Sequence, residues 1–342
     1  MIDPITLSQA GDLWGLVLAG GEGRRIEGYV RQLRGKSLPK QYVNFIGTRS
    51  MLQHTWDRAE RLVPGRKILT IVTEHHLLSP EVCRQLAYRT PGTVIVQPEN
   101  KDTGLGILLP LTYLHKCYPD AIVVVFPSDH FILEEDRFID HVRLAARAVH
   151  HNPSQIVLLP VEAQRAEPDY GYVVLADELG QIDLCGCRKV AHFVEKPSVT
   201  DARLLVARGA LWNTMIMVFR IETLLHYIRT LFPNVASQFH SIGESIGTAV
   251  EKDKIRQIYR NLSPLNFSKD ILERIAVHAP RAVTGLPVLQ VTWSDWGTCD
   301  RLSKTLLQLG AESFATLEPV VSDRRAVRVT AERKSPAISK IH

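Results

Sequence analysis

No apolar run in this sequence approaches the ~20 residues that a membrane-spanning helix needs. The opening stretch, MIDPITLSQAGD, has neither the basic region nor the apolar core of a secretion signal. A cytoplasmic protein with no membrane partner is therefore expected. The five cysteines, Cys83, Cys117, Cys185, Cys187 and Cys299, are an odd number without paired metal-ligand spacing, and Cys185-Gly-Cys187 supplies at best half of a zinc site. They read as reduced structural thiols. The charge excess is only +5 over 342 residues, with acids and bases mixed, which argues against a nucleic-acid binder. Internal repeats are lacking, as is any linker long enough to separate two halves. What is present is 45% hydrophobic content, enough for a large core in one domain or two.

Runs rich in Val, Ile and Leu recur at 13–19, 67–73, 92–98, 121–129 and 155–161. They lack strict alternation and so predict strands covered on both faces. Ser50 and Gln53 stand at capping-box spacing before Leu52, Trp56 and Ala59, predicting a helix from about 51 to 62. A further helix is expected to start at Thr103 and turn Ile107, Leu108, Leu111 and Leu114 inward. The alternation predicts parallel β-α-β units through residue 160. Beyond it, 170–176, 190–197 and 210–221 read as antiparallel additions to the same sheet, 221–262 as mainly helical, and 286–295 as a last strand. A short helix carrying Leu302, Leu306 and Leu309 follows. The organisation expected is an extension at 1–11, one domain at 12–320, and a basic, mobile tail at 321–342.

The stretch WGLVLAGGEGRRI places Gly20, Gly21 and Gly23 directly after the first strand, where backbone N–H groups can approach a phosphate. A dinucleotide fingerprint would need a third glycine at Ile26, and a Walker loop would need Gly-Lys-Ser/Thr, so neither applies. A basic segment follows instead, ending in Pro39-Lys40-Gln41. Arg25, as a bidentate fork, and Lys40, as a point charge, suit the β- and γ-phosphates of a nucleotide. Asp129 and Asp295 each stand just beyond an apolar strand, and two such carboxylates suit Mg²⁺. The plain alternatives are that Asp129 caps a turn and that Asp295 caps a helix near Thr298. His75 and His76 read as loop residues, and His130 as a residue that orients the Asp129 loop.

Taken in order, LAGGEGRRI, PKQ, QPENKDTGLGI, FPSDH, YGYVV, FVEKP, LWNT and WSDWG resemble the sugar-1-phosphate nucleotidyltransferases, most closely the mannose-1-phosphate guanylyltransferases, over residues 13 to 310. The resemblance implies an α/β fold, a Rossmann-like open mixed sheet flanked by helices in a single domain. It implies transfer of a nucleoside monophosphate from an NTP, GTP here, to a sugar 1-phosphate such as mannose 1-phosphate, with Mg²⁺, giving an NDP-sugar and pyrophosphate. Gly20, Gly21, Gly23, Arg24 and Thr103 would then lie at the nucleotide, and Arg25 and Lys40 would act on the triphosphate. Asp129 and Asp295 would hold the metal. Gly171, Glu195 and Asn213 would meet the sugar and Lys196 its phosphate. A homodimer is compatible with it. UTP- or dTTP-dependent transfer, and a catalytically silent relative that binds nucleotide sugars, stand as alternatives.

The family pattern is not matched everywhere. Arg24 replaces a Thr or Ser, and R-N-T-A-P-A-I appears as KDTGLGI, with Lys101, Asp102, Gly104 and Leu105 substituted near the base. Met215 replaces a glycine beside the sugar, and an acid-bearing S-I-D stretch is NFS before Lys269, so no functional acid is assigned there. The isomerase-like domain of longer relatives is not expected. Glu195 with Lys196 also reads as an exposed ion pair, worth about 0–1 kcal/mol, and Asn213 as a partner for a buried backbone group.

Overall fold

A strand buried on both faces leaves no position for a polar side chain, because successive residues point to opposite sides of the sheet. The computed structural model, which describes residues 13–176 and 185–309, shows this in the strand that precedes Asp129. There Ile122, Val124 and Phe126 enter one core, and Val123 and Val125 the other. The expected extension at 1–11 and tail at 321–342 lie outside the described residues.

The first half alternates as expected. The order is β1 (Leu13–Leu18), α1 (Glu27–Arg34), α2 (Met51–Glu60), β2 (Ile68–Thr73), α3 (Pro80–Leu86), β3 (Val94–Gln97), α4 (Asp102–Cys117) and β4 (Ile122–Pro127). These strands pair in parallel as β3-β2-β1-β4. The capping box is present: the Ser50 hydroxyl accepts from the Gln53 N–H while the Gln53 side chain accepts from that of Ser50. Helix α4 starts one residue before Thr103, at Asp102, whose φ is +69°.

The chain continues through β5 (Phe131–Ile132), α5 (Glu135–His151), β6 (Ile156–Leu158), β7 (Val161–Glu162), β8 (Gly171–Leu175), β9 (Arg188–Glu195), α6 (Val199–Ala207), β10 (Leu211–Trp212) and β11 (Met217–Arg220). It closes with α7 (Ile221–Leu231), α8 (Pro233–Ser245), α9 (Glu251–Asn261), α10 (Glu273–His278), β12 (Val283–Gly285), β13 (Trp293–Ser294) and α11 (Cys299–Gln308). The antiparallel additions are found, with β8 paired to β9 and β10, and β10 to β7. The sheet order is β3-β2-β1-β4-β11-β6-β12-β9-β8-β10-β7.

Two expectations are corrected. The run 210–221 is two strands, because Met215 at φ +57° turns the chain between them. The second of these, β11, lies in the middle of the sheet, antiparallel to both β4 and β6. The run 286–295 is not one strand either. Pro287 offers no N–H to a ladder and Gln290 has φ +57°, so only β13 at its end pairs with β5, apart from an isolated bridge between Val288 and Val161. No helix among the described residues is long and apolar enough to cross a membrane. Cys83, Cys117 and Cys299 are free, exposed thiols.

Candidate active site

The loops that leave the carboxyl ends of β1, β2 and β4 open on one side of the sheet, where open α/β sheets place their ligands. Gly23 takes φ +66° on entering a 3₁₀ turn at Arg24–Ile26, and a Cβ there would stand 2.9 Å from the backbone nitrogen of Lys40. That close approach joins the glycine loop to the PKQ segment. Gln41 completes the join by donating from Nε2 to the carbonyls of Ala19 at 2.9 Å and Gly21 at 2.7 Å.

Lys40 is 5% exposed, and its ammonium is where the distant parts of the sequence meet. Nζ lies 3.0 Å from Asp129 Oδ2 and donates to the backbone carbonyl of Asp295. Arg25, half-exposed, reaches Asp295 Oδ2 and Asp169 Oδ2, each at 3.6 Å. The Asp295 carboxylate also accepts from the Tyr170 hydroxyl and the Gly297 N–H, both at 2.9 Å. Helix α11 is capped by Thr298, so Asp295 does not serve as its cap.

Arg301, which the sequence reading did not single out, stands behind this group at 2% exposure. Its guanidinium lies 2.9 Å from Glu167, 3.5 Å from Asp169 and 3.0 Å from Asp295, and 4.7 Å from the Tyr170 ring centre. Of these contacts only that to Glu167 has hydrogen-bond geometry, so the other two are charge contacts. Burial opposes the charge, but Asp295 and Glu167 more than offset it and hold the group above its ordinary value. The available signal was its position on the buried stripe of α11 with Leu302, Thr305 and Leu306.

Burial also pushes the Asp129 carboxyl up, yet the Lys40 ammonium, with smaller help from His130 and a backbone hydrogen bond, makes the net displacement downward. Burial drives His130 down from 6.5 to about 4, with Asp129 and Asp295 opposing and Lys40 and Arg58 assisting, so the imidazole is neutral at pH 7. The folded protein thus binds this proton less readily than the unfolded chain does. The associated stability is fully present above pH 6.5 and lost as pH falls through 4. For His130 alone it is on the order of 3 kcal/mol. His76, held at about 4 by burial, contributes in the same window. Urea unfolding between pH 4 and 7 should show stability rising with pH, and His130→Gln should remove about half of the rise that the two histidines give. Equal slopes in both proteins would assign the loss elsewhere.

On the opposite wall, Gly171 faces Glu195 across the β8/β9 ladder, and a Cβ on it would lie 2.5 Å from Glu195 Oε2 and 3.3 Å from Asn213 Cβ. Burial raises the Glu195 carboxyl, with Lys196 opposing and Glu273 and Asp102 adding. Asn213 does partner backbone: its Oδ1 accepts from the Met215 N–H at 3.1 Å, which holds the left-handed turn of Met215, while Nδ2 donates to Ser268 Oγ at 3.2 Å. Lys196 is exposed, and its N–H donates to the Tyr170 carbonyl at 3.1 Å. The departures at KDTGLGI and NFS prove to be one contact. Asn266 donates to the Asp102 carboxylate at 3.3 Å, the Phe267 N–H to Thr103 Oγ1 at 3.0 Å, and the Gly104 N–H to the Leu265 carbonyl at 2.8 Å.

A cavity of about 310 Å³ gathers Gly21, Arg25, Thr103, Asp129, Gly171, Glu195, Lys196, Asn213 and Asp295 on its wall. Gly20 and Thr103 line an adjoining cavity of about 430 Å³ with Gln97, Asn100 and Asp102. Lys40 and Gly23 lie behind these walls, and Arg24 is exposed and lines neither. A larger cavity, about 590 Å³, shares His130 with the first. The cations around it, Arg49, Arg58 and Arg137, are engaged by Asp57, Glu135 and Gln290.

A family model described as nucleotidyl transferase matches residues 14–311. The xanthan biosynthesis protein XanB of Xanthomonas campestris pv. campestris (strain ATCC 33913) is 29% identical over 226 residues, 66% of this chain and 46% of its own length. A mannose-1-phosphate guanylyltransferase of Sinorhizobium fredii (strain NBRC 101917 / NGR234) is 26% identical over 293 residues, 84% of this chain and 54% of its own. The chain thus spans about half the length of the curated relatives it matches. Among solved structures, a mannose-1-phosphate geranyltransferase from Thermus thermophilus superposes with a TM-score of 0.68 at 22% identity, covering 84% of this chain and 76% of that one. A mannose-6-phosphate isomerase from Helicobacter pylori does so at 0.63 and 17% identity, covering 83% and 99%. These two share the fold.

Proposed function

The chain belongs to the nucleotidyl transferase family, and on that premise we propose that it transfers a nucleoside monophosphate from an NTP to a sugar 1-phosphate, with GTP and mannose 1-phosphate as substrates. The observation that carries this reading is the meeting of Arg25, Lys40, Asp129 and Asp295 beside the glycine loop.

A sugar phosphate with a second pKa near ~6 is already mostly dianionic at pH 7, so its oxygen attacks without a general base. The neutral, buried His130 agrees with a site that moves no proton. The work left to the protein is to bring two anions into line and neutralise the charge that builds up on the α-phosphate and the departing pyrophosphate. Arg25 is held only by 3.6 Å contacts and is half-exposed, so it can turn its fork to phosphate oxygens. Lys40 is fixed by two partners and presents a stationary charge. Asp129 and Asp295 are hard oxygen donors on one cavity wall, a donor set that fits Mg²⁺. When bound there, Mg²⁺ supplies charge neutralisation at the phosphate oxygens. The alternative of a silent binder is disfavoured because binding a nucleotide sugar does not require this whole set of charges.

In the adjoining cavity the buried Gln97 Oε1 has no partner, an acceptor that suits guanine N1–H and uracil or thymine N3–H alike, so the choice of GTP rests on relatives named mannose-1-phosphate guanylyltransferase. The test is pyrophosphate release from each NTP with a panel of sugar 1-phosphates and Mg²⁺. GTP with mannose 1-phosphate should turn over fastest; a preference for UTP or dTTP would replace the base assignment, and no release from any pair would remove the reading.

Gly171→Ala should act on the sugar side alone. The added methyl meets the movable carboxylate of Glu195, so the fold is kept and Glu195 is displaced. The expected result is a rise in KM for the sugar phosphate on the order of tenfold, about 1.4 kcal/mol, with KM for the NTP unchanged. Steady-state kinetics with each substrate varied in turn will show it.

A further inference from the structure

Glu22 stands between Gly21 and Gly23, and His75 and His76 lie in the 3₁₀ turn that follows β2. None of the three lines the cavity of Asp129 and Asp295 or the one beside Gln97. One potential ligand atom from each lies within 4.8 Å of those of the other two, and His75 Nε2 is 3.1 Å from Glu22 Oε2.

His76 supplies the independent observation. It is 2% exposed, and its Nε2 has no hydrogen-bond partner. Its Nδ1 lies 3.2 Å from the Tyr42 hydroxyl, which itself donates to the Ala19 carbonyl at 3.3 Å. Tyr42 is therefore left to accept from Nδ1–H, and this tautomer puts the imidazole lone pair on Nε2, the atom without a partner. A buried polar atom left in this way calls for a ligand. One ring nitrogen fixed by a hydrogen bond and the other offering its lone pair is the arrangement of a metal-ligating histidine.

We propose that Glu22, His75 and His76 bind a divalent ion of the zinc class, at a site separate from the carboxylates that face the phosphates. Two imidazoles and one carboxylate are the ligands of Zn²⁺ and its first-row neighbours, whereas Mg²⁺ takes oxygen donors. His75 is half-exposed and Glu22 partly so, which gives the ion a path from solvent and leaves a coordination position to water. Because Glu22 is part of the glycine loop, the ion ties that loop to the end of β2.

The inference stands apart from the transferase reading, and its test reads metal directly. The full chain, stripped with EDTA, is titrated with ZnCl₂ by calorimetry, and with Co²⁺ while its visible d–d absorption is followed. One ion per chain is expected, with Co²⁺ bands typical of four or five ligands. Glu22→Gln and His75→Ala, both at partly exposed positions that leave the core intact, should each weaken binding tenfold or more. Tyr42→Phe, which removes the partner that orients His76, should weaken it about 10-fold. Absence of stoichiometric binding overturns the proposal, as does binding that survives either Glu22→Gln or His75→Ala unchanged.

Discussion

Lys40→Met should lower kcat on the order of a hundred- to a thousandfold, the usual effect of removing one preorganised charge from a developing anion. Methionine keeps an unbranched stem in the space that Lys40 fills at 5% exposure, so the loss isolates the ammonium. That ammonium touches both Asp129 and the Asp295 carbonyl, and no other cation among the described residues contacts both. KM for the NTP should change less, because the glycine loop and Arg25 remain to hold the triphosphate. Pyrophosphate release over a substrate series, with circular dichroism to confirm folding, separates the two parameters. A kcat within about threefold of the parent, under 1 kcal/mol, would show that Lys40 is structural.

Arg301→Met should lower folding stability by about 3–5 kcal/mol, the range for removing one member of a buried ionic group. The guanidinium is buried and has three carboxylates around it, two of them, Glu167 and Asp295, themselves largely sheltered. Without it these acids face one another with only the half-exposed Arg25, at Asp169 and Asp295, and the partly exposed Arg165, 2.7 Å from Glu167, to offset them among the described residues. The deficit is to be measured by urea unfolding at pH 7.5. Arg301→Lys should recover only part of the loss, since a point charge cannot both meet Glu167 and lie over Tyr170. A deficit below about 1 kcal/mol would mean that the acids are held apart by the fold itself.

The strands of the first half were legible because their pattern reports burial, which is a property of each residue. Ile122 to Phe126 had to be covered on both faces, and they are. Which strand lies beside which is a property of pairs, and there the reading was weaker. The return of β11 between β4 and β6 leaves no trace in Met217–Arg220, whose apolar residues would suit any interior position. The grouping of Arg25, Lys40, Asp129 and Asp295 could be read because glycines and charges at strand ends are uncommon and chemically specific. Arg301 was not, since an arginine in an amphipathic helix is ordinarily solvated and only its place on the buried stripe distinguishes it. His76 likewise reads as a loop residue in the sequence, although the turn that carries it folds its ring under Tyr42. Asp102 and Asn266, two separate oddities in the sequence, explain each other only once the segments touch.

The central position of β11 bears on how the chain can be made. During synthesis β4 emerges with β1 ready on one side, while its other edge stays open until Met217–Arg220 has left the ribosome. A nascent or clipped chain ending before Met217 therefore presents Ile-Val-Val-Val-Phe along a bare edge, a template on which a second copy can add its own strand.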